Sequence, residues 1–130
     1  MKLRWQGSCD LIYKTKGSNA FDVQVDHDIR IMRGKNVIEL DLSFDLKKRQ
    51  GILLYPRSSA FTKHDCLMNT AIIDSDYKGK IHLICWNMGI SFTLNKGESI
   101  LQGAAYKEKF FSNIKQVNLV RTGGLGSTGA

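Results

Sequence analysis

Hydrophobic and polar positions alternate along this chain in short runs. In "VIELDLSFDL", Ile38, Leu40, Leu42, Phe44 and Leu46 fall on one side, and Glu39, Asp41, Ser43 and Asp45 on the other. A period of two marks a half-buried strand, so the pattern predicts one strand from Ile38 to Leu46. "ISFTLN" repeats the pattern, with Ile90, Phe92 and Leu94 opposite Ser91, Thr93 and Asn95. "KIHLICWN" is apolar on both faces and predicts a central strand. Turn-forming stretches separate these runs: "RGKN", "KKRQG", "DYKGK", "WNMG" and "NKGE". No long stretch has helical periodicity. One short helix is predicted after "PRSS", with Ser58 or Ser59 as its cap and "AFTKH" as its turn. Many short strands between turns predict an all-β fold: a sandwich, barrel or jelly roll.

Length and composition narrow this reading. The chain has 130 residues, 42% hydrophobic and 24% charged, which fits one globular domain with a real core. Its three cysteines, Cys9, Cys66 and Cys85, are odd in number and widely spaced. That argues against a disulfide framework or a paired-cysteine zinc site and for a reducing compartment. No stretch has the length of a membrane span and the start does not read as a leader, so the expected location is the cytoplasm. The net charge of +7 favours anionic partners in general. The basic residues are dispersed and lack interleaved aromatics, so neither a membrane nor a direct nucleic-acid partner is expected.

Three stretches carry candidate chemistry. "YPRSSAF" holds the chain's single proline, and Arg57, Ser58 and Ser59 follow it where a helix would begin. Free N–H groups, hydroxyls and a guanidinium make an anion site there, or else an ordinary cap beside a surface arginine. "NTAIIDSDYKGK" ends an apolar run in two acids, an aromatic and a glycine turn. On an alternating strand Asp74 and Asp76 share a side and suit general-base or metal chemistry, although acids and glycine also build plain turns. The terminal "RTGGLGSTGA" is too glycine-rich to pack a core. It reads as a frayed end, or as an arm whose amides, hydroxyls and Arg121 wrap phosphate.

Together these pieces resemble the trimeric dUTP pyrophosphatase (dUTPase) family. The resemblance rests on five short motifs in order: "TKGSNAFDV" around Asp22, "PRSSAF", "NTAIIDSDYKG", "NKGESILQ" and "RTGGLGSTG". It spans residues 13 to 129 and implies a distorted jelly-roll or barrel domain over residues 1–120. A flexible glycine-rich arm over 121–130 would close over a neighbouring subunit's active site. The implied reaction is magnesium-assisted attack of water on the α-phosphorus of dUTP, giving dUMP and pyrophosphate. By similarity, Asp74 holds the attacking water, with Arg57 and Gln102 completing the catalytic set. Tyr77 packs under the deoxyribose and leaves no room for a 2′-hydroxyl. Asn69, with Ile72 and the hairpin backbone, reads the uracil edge. Arg57, Ser58, Ser59 and Gln102 contact the phosphates, and Asp22 reaches Mg2+ through water. Arg121, Gly126, Ser127 and Thr128 clasp the outer phosphates, and Leu125 lies over the base. The implied assembly is a homotrimer with arm exchange.

The chain departs from the family pattern in several places. Leu125 stands where an aromatic is usual, which predicts weaker arm closure because base–aromatic stacking is lost. The third motif lacks its usual glycine, and Asn69 sits one residue closer to Asp74, a slip that turns a strand side chain to the opposite face. Asn19-Ala20 replaces Ala-Gly, and Ser99 replaces a common basic residue. The short, basic form suits a phage or viral member acting in a host cytoplasm. The alternatives are a regulator on the same fold that gates a protein partner by nucleotide occupancy, and a dCTP deaminase relative.

Overall fold

The structure, a computed structural model, describes residues 2–125. The described strands are β1 (Trp5–Gln6), β2 (Asp10–Ile12), β3 (Phe21–Gln24), β4 (Ile29–Ile31), β5 (Gly34–Glu39) and β6 (Ser43–Phe44). They continue with β7 (Gln50–Pro56), β8 (Cys66–Leu67), β9 (Ala71–Ile73), β10 (His82–Asn87), β11 (Phe92–Leu94) and β12 (Leu101–Lys107), and one helix, α1 (Ser58–Thr62), follows β7. Among the described residues the strand pairings are all antiparallel, in a distorted jelly roll of one five-stranded sheet (β2-β3-β12-β7-β9) and three smaller ones. Among the described residues no helix is long and apolar enough to cross a membrane.

The alternation in "VIELDLSFDL" sorts the chain as expected, with Leu40, Leu42, Phe44 and Leu46 all in the core. It does not make one strand. The run breaks at Asp41, where the Leu42 N–H donates to the Leu40 carbonyl at 2.9 Å. Ile81 bridges the break: Leu40 N–H donates to the Ile81 carbonyl and Ile81 N–H to the Leu42 carbonyl, both at 2.8 Å. Gly7 lies against the kink at φ +121°, where a Cβ would stand 2.1 Å from the Asp41 carbonyl oxygen. Only a residue without a side chain permits that approach. Ser43, expected to face solvent, is buried.

"KIHLICWN" does form a central strand, β10, between β5 and β8. Leu83, Cys85 and Asn87 point into the core, while Ile84 and Trp86 stand on the outer face. "ISFTLN" contributes β11, but Ile90 precedes the strand and is exposed. The helix after "PRSS" is present, and its capping residue is Arg57 rather than either serine, with no side-chain cap hydrogen bond. Regular structure ends at Lys107.

All three cysteines are buried and unpaired. Burial, with Cys66 as neighbour, pushes the Cys85 thiol up to about 12, and burial also raises Cys9 and Cys66. A raised value keeps the thiol neutral, and the thiolate is the reactive form. At pH 8 the native protein is therefore expected to react slowly with a thiol reagent and completely in denaturant. Fast labelling of the native protein would show that these side chains are not held in the core.

Candidate active site

Strand β12 lies between β3 and β7, so Gln102 sits opposite Asp22 on one side and Tyr55 on the other. Arg57 leaves the end of β7 with its backbone N–H on the Ile100 carbonyl at 2.8 Å. Its Nη1 donates to the Ser99 carbonyl at 2.9 Å, and its Nε lies 3.3 Å from Asp22 Oδ1. Gln102 Nε2 donates to the Pro56 carbonyl at 3.1 Å. Pairing of β3, β12 and β7 thus brings Asp22, Gln102 and Arg57 together. Ser59 is half-buried beside them and Ser58 is exposed. Helix α1 has five residues, too short to lend a substantial dipole, so any attraction for anions comes from the side chains.

A second group forms where β9 leads into β10. These strands are not a paired hairpin: β9 pairs with β7, and β10 lies in another sheet. The crossing turn carries Asp74, Asp76 and Tyr77, with Tyr77 N–H on the Asp74 carbonyl at 3.1 Å. The Tyr77 hydroxyl donates to the Lys80 carbonyl at 2.5 Å, which fixes the ring. A cavity of about 160 Å³ opens here, lined by Ile72, Asp74, Tyr77, Ile84, Arg121 and Leu125 among others. Its walls are largely apolar, with a carboxylate and a guanidinium at the edge.

Arg121 locks the described part of the tail onto this turn. Its Nη2 donates to Asp74 Oδ2 at 2.5 Å and its Nε to Asp76 Oδ1 at 2.8 Å. The two acids do share a side, as the alternation predicts, but from a turn rather than a strand. The guanidinium lies 5.8 Å from the Tyr77 ring centroid. The hydrogen bond to Asp76, with Asp74 close by, raises the Arg121 pKa further. Gly124 rests on the same ring, where a Cβ would come within 2.6 Å of Tyr77 Cε1.

The two groups stay apart within one chain. The cavity at Tyr77 and a depression of about 260 Å³ that includes Arg57 and Ser59 have no lining residue in common. Asn69 is exposed and lines neither of them. Gly126, Ser127 and Thr128 lie outside the described residues. Sequence reasoning missed Lys80, His82 and Ile84 as cavity-lining residues. The two-sided hydrophobicity of "KIHLICWN" was their available signal.

Asp22 bears on the expected metal. It is 4% exposed, and its Oδ2 has no hydrogen-bond partner among the described residues. A buried carboxylate oxygen left unpaired is costly and calls for a donor. No group of three or more His, Cys, Asp or Glu side chains suited to a metal occurs among the described residues. One orphaned oxygen fits a hydrogen bond from a metal-bound water. Mg2+ carried on substrate phosphates needs few protein ligands and keeps several waters.

Comparison with known proteins identifies the family. The family model described as dUTPase matches residues 8–129. A deoxyuridine 5'-triphosphate nucleotidohydrolase of Wolinella succinogenes is 30% identical over 125 residues, covering 90% of this chain and 84% of its own. The native EIAV dUTPase structure superposes with a TM-score of 0.69 at 28% identity, over 89% of this chain and 95% of that one. A dUTPase from phage phi11 of S. aureus, whose structure is described with a structural Mg(II) ion, shares the fold at a TM-score of 0.75 and 16% identity, over 92% of this chain and 98% of its own. With five motifs, a jelly-roll fold and a family match across nearly its whole length, this chain belongs to the dUTPase family.

Proposed function

We propose that this chain hydrolyses dUTP to dUMP and pyrophosphate, with Asp74 as the group that holds and deprotonates the attacking water. The observation that carries this reading is the placement of Asp74 at the edge of an apolar cavity walled by Tyr77, within reach of Arg121. The cavity suits a base and sugar, and the fixed Tyr77 ring suits the face of a deoxyribose. Asn69, although exposed, is retained as a reader of the uracil edge together with Ile72 and the turn backbone.

In the proposed step the water oxygen attacks the α-phosphorus and its proton passes to Asp74. The bond from that phosphorus to the bridging oxygen breaks, and pyrophosphate leaves. Arg57, Ser58, Ser59 and Gln102 hold phosphate oxygens, and orientation with charge stabilisation supplies most of the rate. Bound Mg2+ would neutralise phosphate charge, with Asp22 accepting a hydrogen bond from one of its waters. Arg121 would exchange Asp74 for the phosphates, freeing Oδ2 to hold the water. Ser127, Thr128 and Gly126 would add donors, with Leu125 over the base.

The separation of the Arg57 and Asp74 groups supports assembly from several copies. One dUTP would be held between the Asp74 cavity of one subunit and the Arg57 group of another in a homotrimer with exchanged arms. The outward face of β10 and β5, with Val37, Ile84 and Trp86 exposed, is apolar enough to be covered in such an assembly.

Pyrophosphate release measured with dUTP, dCTP, dTTP and UTP is expected for dUTP alone. Asp74→Asn should slow it by about 10²–10⁴-fold, the usual worth of a general base. Comparable rates with UTP would sink the role of Tyr77, and a fully active Asp74→Asn would sink that of Asp74. Leu125→Phe should tighten dUTP binding about five- to tenfold by adding base stacking; equal affinity would mean that position 125 does not reach the base. Asp76→Asn should speed tryptic cleavage after Arg121 in the substrate-free protein by up to about fivefold, the upper worth of an exposed ion pair. An unchanged cleavage rate would show that Asp76 does not hold the tail in solution.

A further inference from the structure

The depression beside Arg57 carries more positive charge than the motif residues provide. Lys14 and Lys63 line it together with Arg57, Ser59, His64 and Glu98. Lys14 lies just past β2, at a turn in which Thr15 N–H donates to Ser18 Oγ at 3.0 Å. Lys63 is the residue that closes α1, its N–H on the Ser59 carbonyl at 3.0 Å. Both side chains are exposed, and neither ammonium has a carboxylate within salt-bridge distance among the described residues.

The other titratable groups there offset only part of this charge. Glu98 is the single acid, and its Oε1 already accepts the Asn95 N–H at 2.7 Å. His64 is stacked on Phe92 with ring centroids 4.0 Å apart, and burial together with Lys63 lowers its pKa. Ser99 is buried, and its hydroxyl donates to the Leu101 carbonyl at 2.6 Å. Position 99 therefore adds no charge to the depression. The cations lining the depression are Lys14, Lys63 and Arg57, against the one lining acid, Glu98, and the Asp22 carboxylate paired with Arg57.

We propose that Lys14 and Lys63 are positioning residues for the outer phosphates of dUTP at this depression. The inference rests on the reading of Arg57 as a phosphate-binding residue. The lysines are flexible point charges that suit the highly charged end of a polyphosphate, while Arg57, braced by Asp22 and the Ser99 carbonyl, is fixed in orientation. They would bind substrate and transition state alike, so their loss should raise KM and spare kcat.

The test compares wild type, Lys14→Ala, Lys63→Ala, the double variant and Arg57→Ala, with dUTP as substrate and tripolyphosphate and dUMP as inhibitors. Each lysine variant is expected to raise KM for dUTP about ten- to a hundredfold, as for a lost charge-assisted hydrogen bond. Tripolyphosphate inhibition should weaken in parallel, dUMP inhibition should hold, and Lys→Arg should restore both. The difference from wild type should shrink as salt rises from about 0.05 to 0.5 M. An unchanged KM and unchanged tripolyphosphate inhibition in the double variant would overturn the inference. The parent reading would survive that result if Arg57→Ala still lost tripolyphosphate inhibition, and would fail if it did not. Equal weakening toward dUMP and tripolyphosphate would also overturn it, since that marks a general defect in the fold.

Discussion

Strand β12 is the piece on which both halves of the site depend. Its register puts Gln102 between Asp22 and Tyr55, and Gly103 between Phe21 and Leu54. The close approach at Gly103 leaves no room for a side chain: a Cβ there would meet the Phe21 ring at 2.7 Å and Leu54 Cδ2 at 3.3 Å. The tight centre holds β3 and β7 in place, and β9 then pairs with β7 through Ile52↔Ile73 to Leu54↔Ala71. Asp22 and Arg57 are therefore placed directly by β12, and Asp74 at one strand's remove. A side chain forced into position 103 would shift both groups at once.

Charge is held at each group at some cost. Arg57 and Asp22 make a partly desolvated pair that leaves one carboxylate oxygen without a partner. Such a pair is weak support for stability, because removing charges from water offsets much of their attraction. Its retention makes more sense as positioning: the guanidinium is braced from two sides and cannot fold back onto the surface. Arg121 plays a comparable part at the turn, where two carboxylates and an aromatic face hold it. The bracing of Arg57 would leave less ordering to be done if a phosphate binds there as proposed, whereas Arg121 would have to give up its carboxylates first.

Much of the fold could be read from alternation alone, and the family from its motifs. Leu40, Leu42, Phe44 and Leu46 point inward as their spacing requires. The kink at Asp41 was hidden because it leaves the period intact and depends on Gly7 and Ile81, both distant in sequence. The cap of α1 was misassigned for a similar reason: serines are good caps, but Arg57 takes that position while its side chain answers to Asp22 and Ser99. Asp74 and Asp76 were recognisable as a pair, yet their partner lies 45 to 47 residues away in a segment with no periodicity. Nor did the pattern show that β9 and β10 belong to different sheets, because a tight polar turn looks the same whether or not its flanking strands pair.

Separating the two groups within one chain has a physical advantage. A single polypeptide that placed Arg57, Arg121, Asp22 and Asp74 around one small cavity would pair these charges with one another. Here Asp22 takes Arg57 and Asp74 takes Arg121, each in its own region. Under the proposed mechanism, a triphosphate spanning both regions would compete for both guanidiniums, and at Asp74 that competition would release the oxygen proposed to hold water. Binding of the phosphates and exposure of the proposed base would then be one event, so a nucleotide lacking the full phosphate chain would leave Asp74 engaged. In that mechanism selectivity for the triphosphate would come from this exchange of partners, without a separate element to measure the length of the chain.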